Sequence, residues 1–125
     1  MDPIADMLTI IRNALLVNKY DVAVPNAKMK WFILQNMQEL RLIDSVKKNE
    51  ETNMIELSIV QEDGQPVFEN LKRLSTPGRR LYVGWKEIPR PSKNGVVLVS
   101  TSQGVMTGML ARKRHLGGEL ICEIS

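Results

Sequence analysis

The sequence predicts an α+β fold in two small lobes: an N-terminal helix-strand-helix-strand-strand lobe and a C-terminal, mainly β lobe with one short helix. Three observations lead there. Apolar residues recur at helical spacing in two stretches before residue 41, they alternate at a period of two just after it, and beyond residue 64 Pro and Gly punctuate short apolar runs. At 125 residues, with 43% apolar and 25% charged residues, the chain can bury a core without staples, and its composition favours neither disorder nor a membrane-spanning class.

Asp2 followed by Pro3 reads as an N-cap and first helical residue. Ile4, Met7, Leu8, Ile11 and Leu15 then lie on one helical face, with Asn18 as a stop. Val22 and Val24 alternate with Asp21 and Ala23 in a short strand that Pro25 ends. Asn26 is placed to cap a second helix whose buried stripe includes Met29, Ile33, Met37 and Leu40. Residues 43–48 and 54–60 read as antiparallel strands joined by a polar turn at 48–51. Gln61 to Pro66 is the most polar stretch, so the boundary is set inside it: residues 1–64 form the N-terminal α/β lobe and residues 65–125 the C-terminal β-rich lobe. There, apolar runs at 81–83, 96–99 and 120–124 suit strands, and a helix fits between Thr107 as its cap and Leu116, stopped by Gly117, with Gly108 weakening it.

Lys and Arg total 17 against 14 for Asp and Glu, a net charge of +3 that leans toward polyanionic partners. A single cysteine, Cys122, cannot close an internal disulfide, and with one histidine, His115, the chain lacks the ligands of a structural zinc site. Acidic residues at Asp2 and Asp6 oppose a targeting peptide, and no apolar run reaches membrane-spanning length, so the expected location is the cytoplasm. Catalysis finds little to work with. The available nucleophiles are Ser100, Thr101, Ser102 and Cys122, a Gly-x-Ser-x-Gly elbow is absent, and Cys122 lies in an apolar strand where a thiol is ordinarily a small core residue. We expect no enzyme, no catalytic residue, no metal and no cofactor; the rival is a small hydrolase or transferase pairing Ser102 or Cys122 with His115.

Ser100-Thr101-Ser102-Gln103-Gly104 follows a hydrophobic strand and offers three hydroxyls, free amides and a flexible Gly, but it matches neither a Walker loop nor a dinucleotide fingerprint. A Ser/Thr-rich turn bonding its own backbone is the competing reading. Basic residues come in short groups: Lys28 with Lys30, Lys47 with Lys48, Lys72 with Arg73, Arg79 with Arg80, and Arg112 with Lys113 and Arg114. Each alone could be a solvated face. Arg80 and Tyr82 would share one strand face, placing a phosphate contact beside a ring able to stack on a base or ribose, against the alternative of Tyr82 as partial core.

Several segments together carry a resemblance. Asp2-Pro3-Ile4-Ala5-Asp6-Met7-Leu8-Thr9 with Ile11-Arg12-Asn13-Ala14, Pro77-Gly78-Arg79-Arg80-Leu81-Tyr82, and Ser100 to Thr107 followed by Ala111-Arg112 and Gly117-Gly118-Glu119 resemble, in order and spacing, the bacterial form of the universal small-subunit ribosomal protein eight family. The chain departs from that pattern at Ile10, at Asn26-Ala27, and at Arg90-Pro91-Ser92-Lys93-Asn94-Gly95.

The resemblance implies a non-enzymatic ribonucleoprotein component acting in translation. It would bind a stem in the central domain of small-subunit ribosomal RNA, support subunit assembly, touch neighbouring small-subunit ribosomal proteins, and in some relatives repress its own messenger RNA. By the same resemblance the C-terminal lobe is the RNA-binding one, using Ser100, Thr101, Ser102 and Gly104 with Tyr82, Gly118 and Glu119 nearby. Thr9, Arg12, Lys28 and Lys30 would contact RNA from the N-terminal lobe, and Arg80 and Arg112 complete the expected set. Glu119 would accept hydrogen bonds from base amino groups or ribose hydroxyls, the alternative being an ordinary exposed carboxylate. A non-ribosomal RNA-binding regulator is the nearer alternative function.

Overall fold

A computed structural model describes residues 2–91 and 94–125; of the divergent loop at Arg90 to Gly95, Ser92 and Lys93 lie outside the described residues. The chain forms two compact units, one spanning Pro3–Glu69 and the other comprising Asp2 with Asn70–Ser125.

In the first unit, α1 (Pro3–Leu16) buries Met7, Leu8, Ile11 and Ala14. It ends where Asn18 takes a left-handed φ of 56°, with the Lys19 amide donating back to the Ala14 carbonyl at 2.9 Å. β1 (Asp21–Pro25) alternates exposed and buried residues, hiding Val22 and Val24. Two expectations for α2 (Lys28–Glu39) are corrected. The N-cap is Ala27 without a side-chain bond, because Asn26 is turned to Asn53, bonding it through both backbone and side chain. The buried stripe is Lys30, Ile33, Leu34 and Met37, while Met29 is exposed. It is rotated from the predicted stripe because the apolar stem of Lys30 fills an inward position and its ammonium bonds a backbone carbonyl. β2 (Ile43–Asn49) and β3 (Met54–Ile59) follow, and the antiparallel sheet runs β1-β3-β2. β4 (Gln61–Glu62) and β5 (Gln65–Pro66) pair as a small hairpin inside the stretch expected to be loop, turning through Asp63 and Gly64, both at positive φ.

The second unit is built around its last strand. β6 (Leu71–Arg73) and β7 (Tyr82–Val83) pair successively with one edge of β10 (Gly118–Ile124); β8 (Val96–Thr101) takes the other edge and carries β9 (Gly104–Thr107) beyond it. A bulge between Leu120 and Cys122 leaves the Ile121 carbonyl to accept from Leu74 N at 3.0 Å and from the Arg73 guanidinium at 2.7 Å. Ile88, Val97, Val99, Met106, Ala111 and Leu120 form the cluster on one face, with Leu81, Val83, Trp85 and Leu116 among the side chains packed against it. α3 (Gly108–Lys113) starts as expected, Thr107 Oγ1 accepting from Leu110 N at 3.1 Å. Gly108 serves close packing, since a Cβ there would sit 2.9 Å from Ile88 Cγ2. The helix stops earlier than the Gly117 stop predicts. His115 adopts a φ of 56°, and Leu116 N and His115 N reach back to Ala111 O (2.8 Å) and Arg112 O (3.1 Å), the paired bonds of a Schellman ending.

Candidate nucleic-acid interface

The register across β7, β10, β8 and β9 decides which side chains meet. Tyr82 lies opposite Glu119, Glu119 opposite Ser100, and Ser100 opposite Val105. Directly opposed residues of antiparallel strands project from the same face, so these four form one row across four strands. The adjacent row, Val83-Gly118-Thr101-Gly104, points to the other face, the one carrying Val99, Leu120 and Met106 into the cluster. Tyr82 is 68% exposed, which removes the alternative of a core ring.

The β8–β9 hairpin closes the end of this surface. Thr101 Oγ1 donates to Gly104 O at 2.8 Å and accepts from Gln103 N at 3.1 Å, so that hydroxyl holds its own turn. Ser102, Gln103 and Gly104 are left exposed at the tip. Gly104, at φ 110°, supplies the backbone sign that lets the loop re-enter the ladder. Gly118 acts through what it lacks: a Cβ there would collide with the Ser100 carbonyl oxygen, and one on Gly117 with the Val83 carbonyl oxygen. The pair of glycines lets β10 press between β7 and β8, bringing Tyr82, Glu119 and Ser100 into one row.

Arg80 Nη1 reaches the two carboxylate oxygens of Glu119 at 3.4 and 3.3 Å, with the Arg80 side chain 55% exposed and that of Glu119 16% exposed. An ion pair this open contributes about 0–1 kcal/mol, and its larger effect is to orient both groups. Arg79 is exposed next to it. The segment is set by a residue that sequence reasoning missed. Ser75 is fully buried; its Oγ accepts from Leu81 N at 2.9 Å and donates to Leu81 O at 3.5 Å. With Thr76 and Arg79 exchanging backbone bonds of 3.0 Å around Pro77-Gly78, this fixes the path from the turn into Tyr82. The signal was a serine just before a Thr-Pro-Gly turn, which is weak because turn serines are common.

Arg112 sits on α3, half-buried, its Nη2 donating to Ile88 O at 2.9 Å. In the first unit Thr9 and Lys28 are exposed and Arg12 is half-buried. Lys30, expected to contact RNA, is only 4% exposed and its Nζ donates to Pro25 O at 3.0 Å. The ammonium ties the start of α2 to the end of β1.

A family model described as ribosomal protein S8 matches residues 2–125. The chain belongs to the ribosomal protein S8 family. It is 47% identical over 124 residues, 98% of this chain and 97% of the relative, to the small ribosomal subunit protein uS8 of Oleidesulfovibrio alaskensis. The uS8 protein of Nitratidesulfovibrio vulgaris is 46% identical over the same shares, and that of Shewanella loihica 43% identical over 99% of this chain and 97% of its own length. The S8 family is one of structural, non-enzymatic proteins.

The S8-family chain also places the groups the hydrolase alternative required. His115 stacks on Trp85 with ring centroids 4.3 Å apart. Cys122 is fully buried, and burial pushes its thiol up to about 12, against a smaller opposing pull from Arg73. A thiol so protonated is no nucleophile at neutral pH. Among the described residues, no group of three or more His, Cys, Asp or Glu could hold a metal ion, and no helix is long and apolar enough to cross a membrane.

Proposed function

We propose that this protein is a structural constituent of the small ribosomal subunit that grips a stem in the central domain of small-subunit ribosomal RNA and supports assembly of the subunit. The single observation that carries the reading is the row Tyr82-Glu119-Ser100 running into the exposed Ser102-Gln103-Gly104 tip. It juxtaposes an open aromatic face, a carboxylate, hydroxyls and free amides with few uncompensated charges. Folded RNA, whose deep major groove excludes side chains, is recognised through ribose hydroxyls, phosphates and distorted bases, the groups such a surface matches.

In this reading the C-terminal lobe, residues 65–125, is the RNA-binding one. Ser100, Ser102 and the amides near Gly104 hydrogen-bond the stem, Tyr82 stacks, Glu119 accepts from base amino or ribose hydroxyl groups, and Arg80 and Arg112 favour phosphates. Thr101 and Gly118 shape the surface. From the N-terminal lobe, residues 1–64, Thr9, Arg12 and Lys28 add backbone contacts, and Lys30 positions the helix start that carries Lys28. Neighbouring small-subunit ribosomal proteins are the remaining partners, and a copy of the same stem in its own message would be bound by the same residues, giving translational repression.

The test is binding of a central-domain RNA fragment with footprinting of the complex. Tyr82→Ala is expected to weaken binding roughly tenfold, the worth of one stacking contact, and Ser102→Ala to weaken it a few-fold. Both effects should persist at every salt concentration, because neither side chain displaces counterions. Wild-type affinity in the double variant, or a footprint outside the central domain, removes the assignment.

A further inference from the structure

Trp85 and His115 stand apart from the row just described. Their rings lie 28° from parallel at 4.3 Å, and Lys86 Nζ sits 5.3 Å from the Trp85 ring centroid. Trp85 is half-buried against the apolar cluster, whereas His115 is exposed. The indole covers one face of the imidazole. The backbone makes the placement costly. His115 occupies the left-handed position after the α3 C-cap, at φ 56°, where glycine is the favoured residue. Ending the helix requires no ring there, yet a ring is present and is held flat by Trp85.

The electrostatic setting favours an anion. Lys113 and Arg114 immediately precede His115, and Lys86 follows Trp85; all three are exposed and none forms an ion pair among the described residues. Glu87 is the acidic side chain of the same short turn. A flat π-face that follows two exposed cations in the chain matches an unpaired nucleotide, whose base stacks while its phosphates meet the charges. We propose that the outer face of His115 is a second RNA-docking site, taking an unpaired base onto the His115–Trp85 stack with Lys113 and Arg114 receiving the flanking phosphates. The site rests on the reading of this protein as an RNA binder but not on the residues of the Tyr82-Glu119-Ser100 row.

The test uses the whole protein and two probes: a short fluorescein-labelled oligoadenylate followed by anisotropy, and the central-domain stem fragment. His115→Gly is the decisive variant, because glycine suits the backbone position and removes the ring; His115→Asn, also tolerant of positive φ, repeats the measurement. Both are expected to weaken oligoadenylate binding about tenfold and leave stem affinity unchanged. Lys113→Gln with Arg114→Gln is expected to flatten the salt dependence of oligoadenylate binding by roughly 1.4 in the log–log slope. Tyr82→Ala should do the reverse of His115→Gly, weakening the stem and sparing oligoadenylate. The docking site is overturned if both His115 variants bind oligoadenylate like the wild type, or if Tyr82→Ala alone abolishes that binding. If the wild type binds oligoadenylate but not the stem, the docking site stands and the central-domain reading falls; if it binds neither, both fall.

Discussion

Gly118→Ala introduces one methyl group where β10 pairs with the end of β8, opposite Thr101. The new Cβ would strike the Ser100 carbonyl oxygen, and Thr101 Cα would be 3.2 Å away. Both are backbone atoms, so no rotamer can move aside and the strands themselves must part. Overpacking of this kind costs typically 1–3 kcal/mol, and lengthening the ladder bonds beside the contact adds about 1 kcal/mol. A loss of about 2–4 kcal/mol results. For a chain of this size that lowers the unfolding midpoint by about 10 °C, readable by circular dichroism. Because the separation opens between Glu119 and Ser100, stem affinity should fall more than for an equally destabilising substitution elsewhere in the same unit, such as Val97→Ala, which removes buried volume away from the row. A midpoint within two or so degrees of wild type, or equal binding losses for the two variants, would refute the reasoning that Gly118 is there to let the strands close.

Lys28→Ala and Lys30→Met separate a surface charge from a buried one. The first should flatten the salt dependence of RNA binding by about one contact with stability unchanged, while Lys30→Met, keeping the apolar stem, should lower stability by about 1–2 kcal/mol in denaturant melts through the lost bond to Pro25 O. Ser75→Ala removes both bonds that hold Leu81, with an expected loss of about 1–3 kcal/mol, faster hydrogen exchange at the Leu81 amide, and weaker stem binding although Ser75 is fully buried. Cys122 ties stability to alkaline pH. Its thiol is raised from 9.0 to about 12 in the fold, so the neutral form is favoured in the native state, and its contribution is complete below about pH 9. It then fades by about 1.4 kcal/mol per pH unit as pH rises toward the folded value. Urea melts of wild type and Cys122→Ala across that range should converge; parallel curves would show that the thiol ionises freely.

The sequence by itself settled most of what depends on local periodicity. α1, β1, the β2–β3 pair and the Thr107 cap followed from spacing and capping residues, since a helical or alternating stripe is a local property of consecutive side chains. Cys122 as a core residue followed from its apolar strand. The segment Ser100 to Gly104 stood out because hydroxyls, amides and Gly cluster there without any nucleotide-loop pattern. The short strands β6 and β9 were not legible, because too few residues carry the alternation.

Long-range contacts decided the rest. Nothing near Asn26 announces Asn53, and nothing in a Lys-x-Lys spacing tells which ammonium turns inward to a carbonyl five residues back. That Tyr82, Glu119 and Ser100 share one row is a consequence of β10 lying between β7 and β8, and that closeness depends on Gly117 and Gly118 having no Cβ. His115, read from sequence as a lone imidazole, gains its meaning only from a left-handed backbone and from Trp85, which the fold brings beneath it. Side-chain spacing is encoded along the chain, whereas strand register and ring stacking arise when distant segments pack, so the surface could be suspected residue by residue but assembled only in three dimensions.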